Sequence, residues 1–190
     1  MLNNRKREYY CDHIDINGEQ IRINIGWNIG GVYFEIIERM IKQLDIVIQI
    51  HSRVLVHQFI LPINYYTPNN KLISNLMKNL RQRIDRIYGI KKIGYAWVRE
   101  QEKSKKQHYH VALFLDGNKI QHPKKLNDII EKMWAPHGSF TKIRNPYYYI
   151  NKDDNATRLE AIWRISYYAK IRGKGYRDSQ AKDYQTSRVK

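Results

Sequence analysis

The segment Gln107-His108-Tyr109-His110-Val111 sets two imidazoles two residues apart. Side chains on a strand alternate between faces, so His108 and His110 share one face there. Tyr109 then turns to the other face with Val111, Leu113 and Leu115, a stripe that suits a core. Neighbouring imidazoles suit a divalent metal. The preceding segment, Lys92–Glu100, offers a third ligand. Glu100 shares a face with Val98, Ala96 and Gly94, whose small size is expected to leave room above the sheet, and it stands at the strand end within reach of the histidines. Glu102, in the loop beyond, is a substitute. A pair of hydrogen-bonded or solvated histidines on an edge strand would carry the same short pattern.

A second set lies in Arg164-Ile165-Ser166-Tyr167-Tyr168-Ala169-Lys170. At about 100° per helical residue, Tyr167 and Lys170 fall about 60° apart, and Tyr168 lies about 160° from Lys170. Trp163 and Leu159 are on or near the Tyr167/Lys170 side, the face expected to look at the sheet. A phenol with a pKa of about 10 is a poor nucleophile at neutral pH. A neighbouring ammonium favours the phenolate and can neutralise a phosphate. Helical geometry therefore selects Tyr167 over Tyr168. An amphipathic helix with an aromatic at its border would read the same way. Taken together, an ion that polarises a phosphodiester and a tyrosine that attacks it are complementary parts of one reaction.

These residues need a scaffold of alternating strands and helices. Asp12–Ile16, the turn Asn17-Gly18 and Ile21–Ile25 predict a hairpin. Apolar residues at helical spacing predict helices over Val32–Leu44 and Lys71–Tyr88, the latter with a basic face and Gly89 just past its end. Arg53–Ile63, Lys92–Glu100 and Gln107–Leu115 read as strands, and Pro123–Trp134 as a short helix. A weaker strand is expected at Ser139–Ile143, then a helix over Thr157–Ile171 capped by Asp154 or Asn155. The fold class is α+β, a central, mainly antiparallel sheet with flanking helices. Residues 1–49 form a hairpin and helix of unassigned role packed on the core. Residues 50–190 carry the chemistry.

The chain of 190 residues has 34 Lys+Arg against 18 Asp+Glu, a formal charge of +16. That surplus calls for a polyanionic partner, most often nucleic acid. From Lys170 onward, seven basic residues face two aspartates. Within and before this tail Arg164, Arg172, Lys174 and Arg177 are candidate phosphate contacts, unless the tail is simply solvated. Tyr147-Tyr148-Tyr149, Trp97 and Trp134 offer rings for base stacking or, equally, for a core. A single cysteine, Cys11, excludes an internal disulfide. The apolar stretch Asp45–Ile63 is too interrupted by polar residues to span a membrane. The N-terminal stretch lacks a signal peptide's apolar run, so a cytoplasmic protein is expected.

The ordered set Glu100, His108-Tyr109-His110 and Tyr167-x-x-Lys170 resembles the HUH (His-hydrophobic-His) endonuclease superfamily in its replication initiators. With Tyr95-Ala96-Trp97-Val98-Arg99 before Glu100 and Ser187-Arg188 near the end, it is most similar to the inovirus gene-II-type replication proteins. The resemblance covers about residues 50–190. It implies a ferredoxin/RRM-like palm bearing the histidines with a tyrosine helix over it. It also implies strand-specific nicking of single-stranded or origin DNA to start rolling-circle replication in a bacterial cytoplasm. By the same resemblance His108, His110 and Glu100 hold Mg²⁺ or Mn²⁺, Tyr167 becomes a 5′-phosphotyrosine, and Lys170 stabilises the phosphate. The free 3′-OH then serves host replication proteins, a helicase and a polymerase. Position 171 is Ile, so this helix lacks a second tyrosine one turn on. A non-catalytic nucleic-acid-binding module, a zinc hydrolase using water, and an HUH transposase- or relaxase-like enzyme are the other readings.

Overall fold

The computed structural model describes residues 6–26, 30–101, 106–178 and 181–190. Its centre is a five-stranded antiparallel sheet. The strands concerned are β5 (Arg53–Pro62), β6 (Gly94–Glu100), β7 (His108–Asp116), β8 (Thr141–Asn151) and β9 (Tyr184–Thr186), in the order β8-β5-β7-β6-β9. Before it come the short strands β1 (Glu8–Tyr9) and β4 (Val32–Tyr33), which pair with each other. The hairpin of β2 (His13–Ile16) and β3 (Glu19–Arg22) lies between them. Asn17 and Gly18 both take positive φ in that hairpin's turn, which is why Asn-Gly serves there. The second hairpin strand stops at Arg22, short of the expected Ile25.

Alternation divides the sheet into two faces. Leu55, Phe59, Trp97, Tyr109, Val111, Leu113 and Leu115 pack against α2 (Lys71–Tyr88) and α3 (Lys124–Trp134). Val54, Val56, Ala96, Val98, Ala112 and Phe114 pack against α1 (Phe34–Ile50) and α4 (Asn155–Ser166). The stripe expected from Tyr109 onward is thus a core stripe, and His110 lies on the α1/α4 face. Trp97 and Trp134 are buried in the α2/α3 core and offer no ring to a base.

Four expectations need correction. The first helix begins at Phe34 and continues to Ile50, six residues beyond Leu44, because Val47 and Ile48 extend its buried face. The 49/50 division therefore falls inside α1, which packs on the same sheet as the elements after it. The space expected above Gly94 and Ala96 is taken by α1. A Cβ on Gly94 would stand 2.7 Å from Val47 Cγ2, so glycine permits that helix to approach. The weak strand at Ser139–Ile143 is an 11-residue strand, β8. Its length takes in Pro146, which cannot donate to a ladder. The strand lies at the sheet edge, and its register shifts opposite His57 and Phe59, which is where a proline can be accommodated.

The fourth correction concerns the tyrosine helix. It ends at Ser166, not Ile171, and passes into a 3-10 turn, Tyr167–Ala169. The Ser166 hydroxyl donates to the Trp163 carbonyl and accepts the Asn24 N–H, drawing that carbonyl out of the helical ladder. Lys170 then bridges to Val32, and the Ile171 N–H donates to the Gly31 carbonyl. At the other end Asp154 caps the helix through Thr157. Among the described residues no helix is long and apolar enough to cross a membrane.

His57, on the α2/α3 side, has Nδ1 3.2 Å from the Pro146 carbonyl and Nε2 2.7 Å from the Asn127 side-chain amide. Burial lowers its pKa to about 4, against the pull of those two bonds. In an unfolded chain the value is about 6.5. The unfolded state thus binds a proton that the native state refuses. Stability is full above about pH 6.5 and falls as pH drops toward 4, by up to about 3 kcal/mol. Urea unfolding between pH 7 and 4 checks this: the slope of stability against pH is expected to flatten in His57→Gln.

Candidate metal and tyrosine site

Antiparallel pairing of β6 with β7 places Glu100 opposite His108 and Val98 opposite His110. The two histidines and the carboxylate thus meet at one end of the sheet. His110 Nε2 lies 3.2 Å from Glu100 Oε2, and His108 Nε2 lies 3.6 Å from the same oxygen. One ligand atom from each residue falls within 4.8 Å of the others, and the group could hold a metal ion. Glu102, the proposed substitute, lies outside the described residues.

The donor set fits a divalent cation. The His108 Nδ1–H donates to the Lys106 carbonyl, which turns the ring so that Nε2 lies on the Glu100 side. His110 is only 6% exposed, and neither of its ring nitrogens has an aligned hydrogen bond. Burial lowers its pKa and keeps the imidazole neutral, in the form that binds metals. Burial alone would raise the pKa of Glu100, which is 3% exposed. The His108 and His110 imidazoles and the Lys174 ammonium outweigh that effect and hold the carboxyl ionised, well below the usual range. A carboxylate oxygen and two imidazole nitrogens within 4.8 Å of one another are a donor set that could hold a divalent ion.

Lys170 joins this cluster to Tyr167. Its Nζ lies 3.1 Å from Glu100 Oε2 and donates to the Tyr167 hydroxyl at 3.2 Å, with the ring centroid 4.2 Å away. The 3-10 turn is the reason, since residues three apart nearly eclipse each other there. Burial opposes the charge on Lys170, but the Glu100 carboxylate and the Tyr167 hydroxyl overcome it and raise the pKa. Tyr168 points the other way. Its hydroxyl donates to Gln58 Oε1 at 3.1 Å, its ring stacks at 4.8 Å on His110, and burial raises its pKa. It braces His110, while the half-buried Tyr167 faces the site.

The other basic candidates separate. Lys174, expected to touch DNA, is turned inward: its side chain is fully buried, donating to Glu100 Oε1 at 2.9 Å and to the Lys170 carbonyl. Burial pulls its pKa down to about 8 despite the carboxylate. Gly173, at φ 83°, makes the turn that delivers it, and the Gly173 carbonyl accepts the Gln101 N–H. Arg177 pairs with Asp183 at 2.6 Å. Arg164 donates to the Arg144 carbonyl beside Tyr167, and Arg172 lies in the turn after Lys170. Gln58 is a site residue that sequence reasoning missed, and Lys174 is one it placed on DNA rather than on Glu100. A lysine between two glycines was the one available sign of a special turn, and nothing near Gln58 marks its partner.

The helix carrying the tyrosine is anchored from its far end. Arg158 grips Asp45 of α1 through two bonds of 2.7 and 2.9 Å and reaches Glu19 of β3 at 2.9 Å. Planar two-point pairing of this kind fixes orientation as well as distance.

With this geometry in view, the model of the YagK/YfjJ C-terminal domain matches residues 24–182. The chain belongs to that family. No curated protein and no solved structure gives a match. The family span takes in Glu100, His108, His110, Tyr167, Lys170 and Lys174, together with α1 and every strand of the large sheet but β9.

Two outcomes are expected. Glu100→Gln strands the buried Lys174 charge and lowers stability by about 3–5 kcal/mol, whereas adding Lys174→Met recovers most of the loss; denaturant titration reads both. Mn²⁺ at about a hundred times its dissociation constant raises the melting temperature by roughly 5 °C, EDTA reverses the rise, and His110→Ala abolishes it.

Proposed function

We propose that this protein is a metal-dependent nickase that cuts single-stranded DNA through Tyr167 and starts rolling-circle replication, as a member of the HUH endonuclease superfamily. The observation that carries the reading is the bridge made by Lys170, one ammonium within 3.2 Å of both the Tyr167 hydroxyl and the shared Glu100 oxygen. A nucleophile and a cation-binding group are thereby held to one phosphate-sized space.

In this reading the Tyr167 oxygen attacks phosphorus and the bond to the 3′ oxygen breaks. The 5′-phosphate stays on tyrosine, the phenolic proton passes to solvent water, and the leaving 3′ oxygen takes a proton from solvent. Lys170 donates to the tyrosine oxygen and stands ready for the phosphate's growing charge. His108, His110 and Glu100 would hold a divalent ion, which supplies polarisation of a phosphate oxygen. Imidazole donors suit Mn²⁺ better than Mg²⁺. Tyr168 and Lys174 position His110 and Glu100.

The surface supports a DNA substrate. Beside β9 a cleft of about 340 Å³ is lined by Lys6, Arg39, Arg177, Lys182 and Arg188, with Asp183 as its acid. It adjoins the site, since the Asp183 carbonyl accepts the N–H of Arg99, the residue before Glu100. Such a cleft favours a phosphate backbone and makes affinity salt-dependent. The exposed 3′-OH would prime a host polymerase behind a helicase, in the bacterial cytoplasm.

The experiment incubates the protein with single-stranded DNA tiled across the genetic element that encodes it, with Mn²⁺, on a denaturing gel. A protein–DNA adduct is expected from wild type and Tyr168→Phe but is lost in Tyr167→Phe. Cleavage without adduct points to a hydrolase using water. Binding without cleavage at any metal points to a non-catalytic module.

A further inference from the structure

Beside Tyr167 the α1/α4 face of the sheet is left partly uncovered. α1 covers the β6 side. Toward β8, Ile60 and Ile143 stay half-exposed, and Trp163 of α4 is 38% exposed, in contrast to the buried Trp97 and Trp134. These three, with His110 and the rings of Tyr167 and Tyr168, line a cavity of about 350 Å³ that Asn24 and Arg164 also border. The lining is mostly apolar and half open to solvent, and it shares His110 and Tyr167 with the metal and tyrosine site.

One polar group at its border lacks a partner. Asn24 spends its carbonyl oxygen on the Gly26 N–H, while its NH₂ has no partner among the described residues. An apolar cavity walled by aromatic rings, with an unspent amide NH₂ at its border, suits an aromatic heterocycle. Its volume is at the small end of ligand pockets, of about 300–1,000 Å³, and admits one base with its sugar. Aromatic side chains stack on any nucleobase, because every base has a π-face. A base still paired in a duplex could not enter.

We propose that this cavity receives one unpaired nucleobase, that of a nucleotide flanking the scissile phosphate, stacked on Trp163. The proposal rests on the reading of Tyr167 as the nucleophile, since it is the shared Tyr167 wall that puts the bound base next to the nick. The slot would explain why the nicked strand must be melted before it is cut, and it places a determinant of the cutting position within the protein.

The test compares two fluorescein-labelled probes in EDTA, where no cleavage occurs: dT12 and a 12-mer of abasic deoxyribose phosphate. Wild type is expected to bind dT12 about tenfold more tightly, the size of one base–aromatic stack. Trp163→Ala should bind the two alike, Trp163→Phe should restore most of the preference, and all three proteins should melt alike because position 163 is exposed. Equal binding of both probes by wild type overturns the proposal, as does a preference that survives in Trp163→Ala. The tyrosine adduct separates this result from the parent reading. An adduct without base preference sinks the pocket and keeps the nickase, whereas a Trp163-dependent preference without any adduct sinks the nickase and with it the placement of the base at a nick.

Discussion

The buried carboxylate of Glu100 is the constraint around which the site is organised. A charge removed from water is tolerated only when other groups replace the lost solvation. Here Oε1 takes the Lys174 ammonium, while Oε2 takes Lys170 and faces both imidazoles. Those partners come from β7 and from the turn after the tyrosine, so one carboxylate ties the sheet to the segment that follows α4. Lys174 has Glu100 as its one acid partner among the described residues, whereas Glu100 also has Lys170. Removing Glu100 leaves a buried cation unpaired, and that dependence helps to hold the cluster in shape.

Precision at Tyr167 comes from the two ends of one element. Arg158 fixes the start of α4 to α1 and the β2/β3 hairpin, and Ser166 ends the helix by binding the Asn24 N–H. Residues before position 50 therefore help to place the Tyr167 hydroxyl, although none of the described ones belongs to the Glu100–His108–His110 group. The match to the YagK/YfjJ C-terminal domain from residue 24 onward treats α1 and the sheet as one span. The same covering of the sheet by α1 leaves Ile60, Ile143 and Trp163 as the open part of that face.

Much of the fold could be read without coordinates. Lys71–Tyr88 has the limits expected from its apolar spacing and from Gly89, which takes the left-handed conformation at its end. The β5 strand stops at Pro62, and Asp154 caps α4, as their residue types require. Errors fall where a distant contact overrides local preference. Pro146 sits in a strand because that strand is an edge. The tyrosine helix stops early because Asn24 and Val32 arrive from the other end of the chain. Gly94 looked like space for a ligand and is space for a helix.

Residue order by itself determined that His108 and His110 share a face, that Tyr109 opposes them, and that Lys170 stays near Tyr167. Each follows from backbone periodicity over a few bonds, which covalent geometry dictates whatever surrounds it. Only the tertiary structure decided that Lys174 turns inward to Glu100, that Tyr168 braces His110 through Gln58, and that α1 fills one side of the site face and leaves the other open. Those contacts join residues from 47 to 110 positions apart, and they depend on strand order and helix placement, which no local pattern encodes.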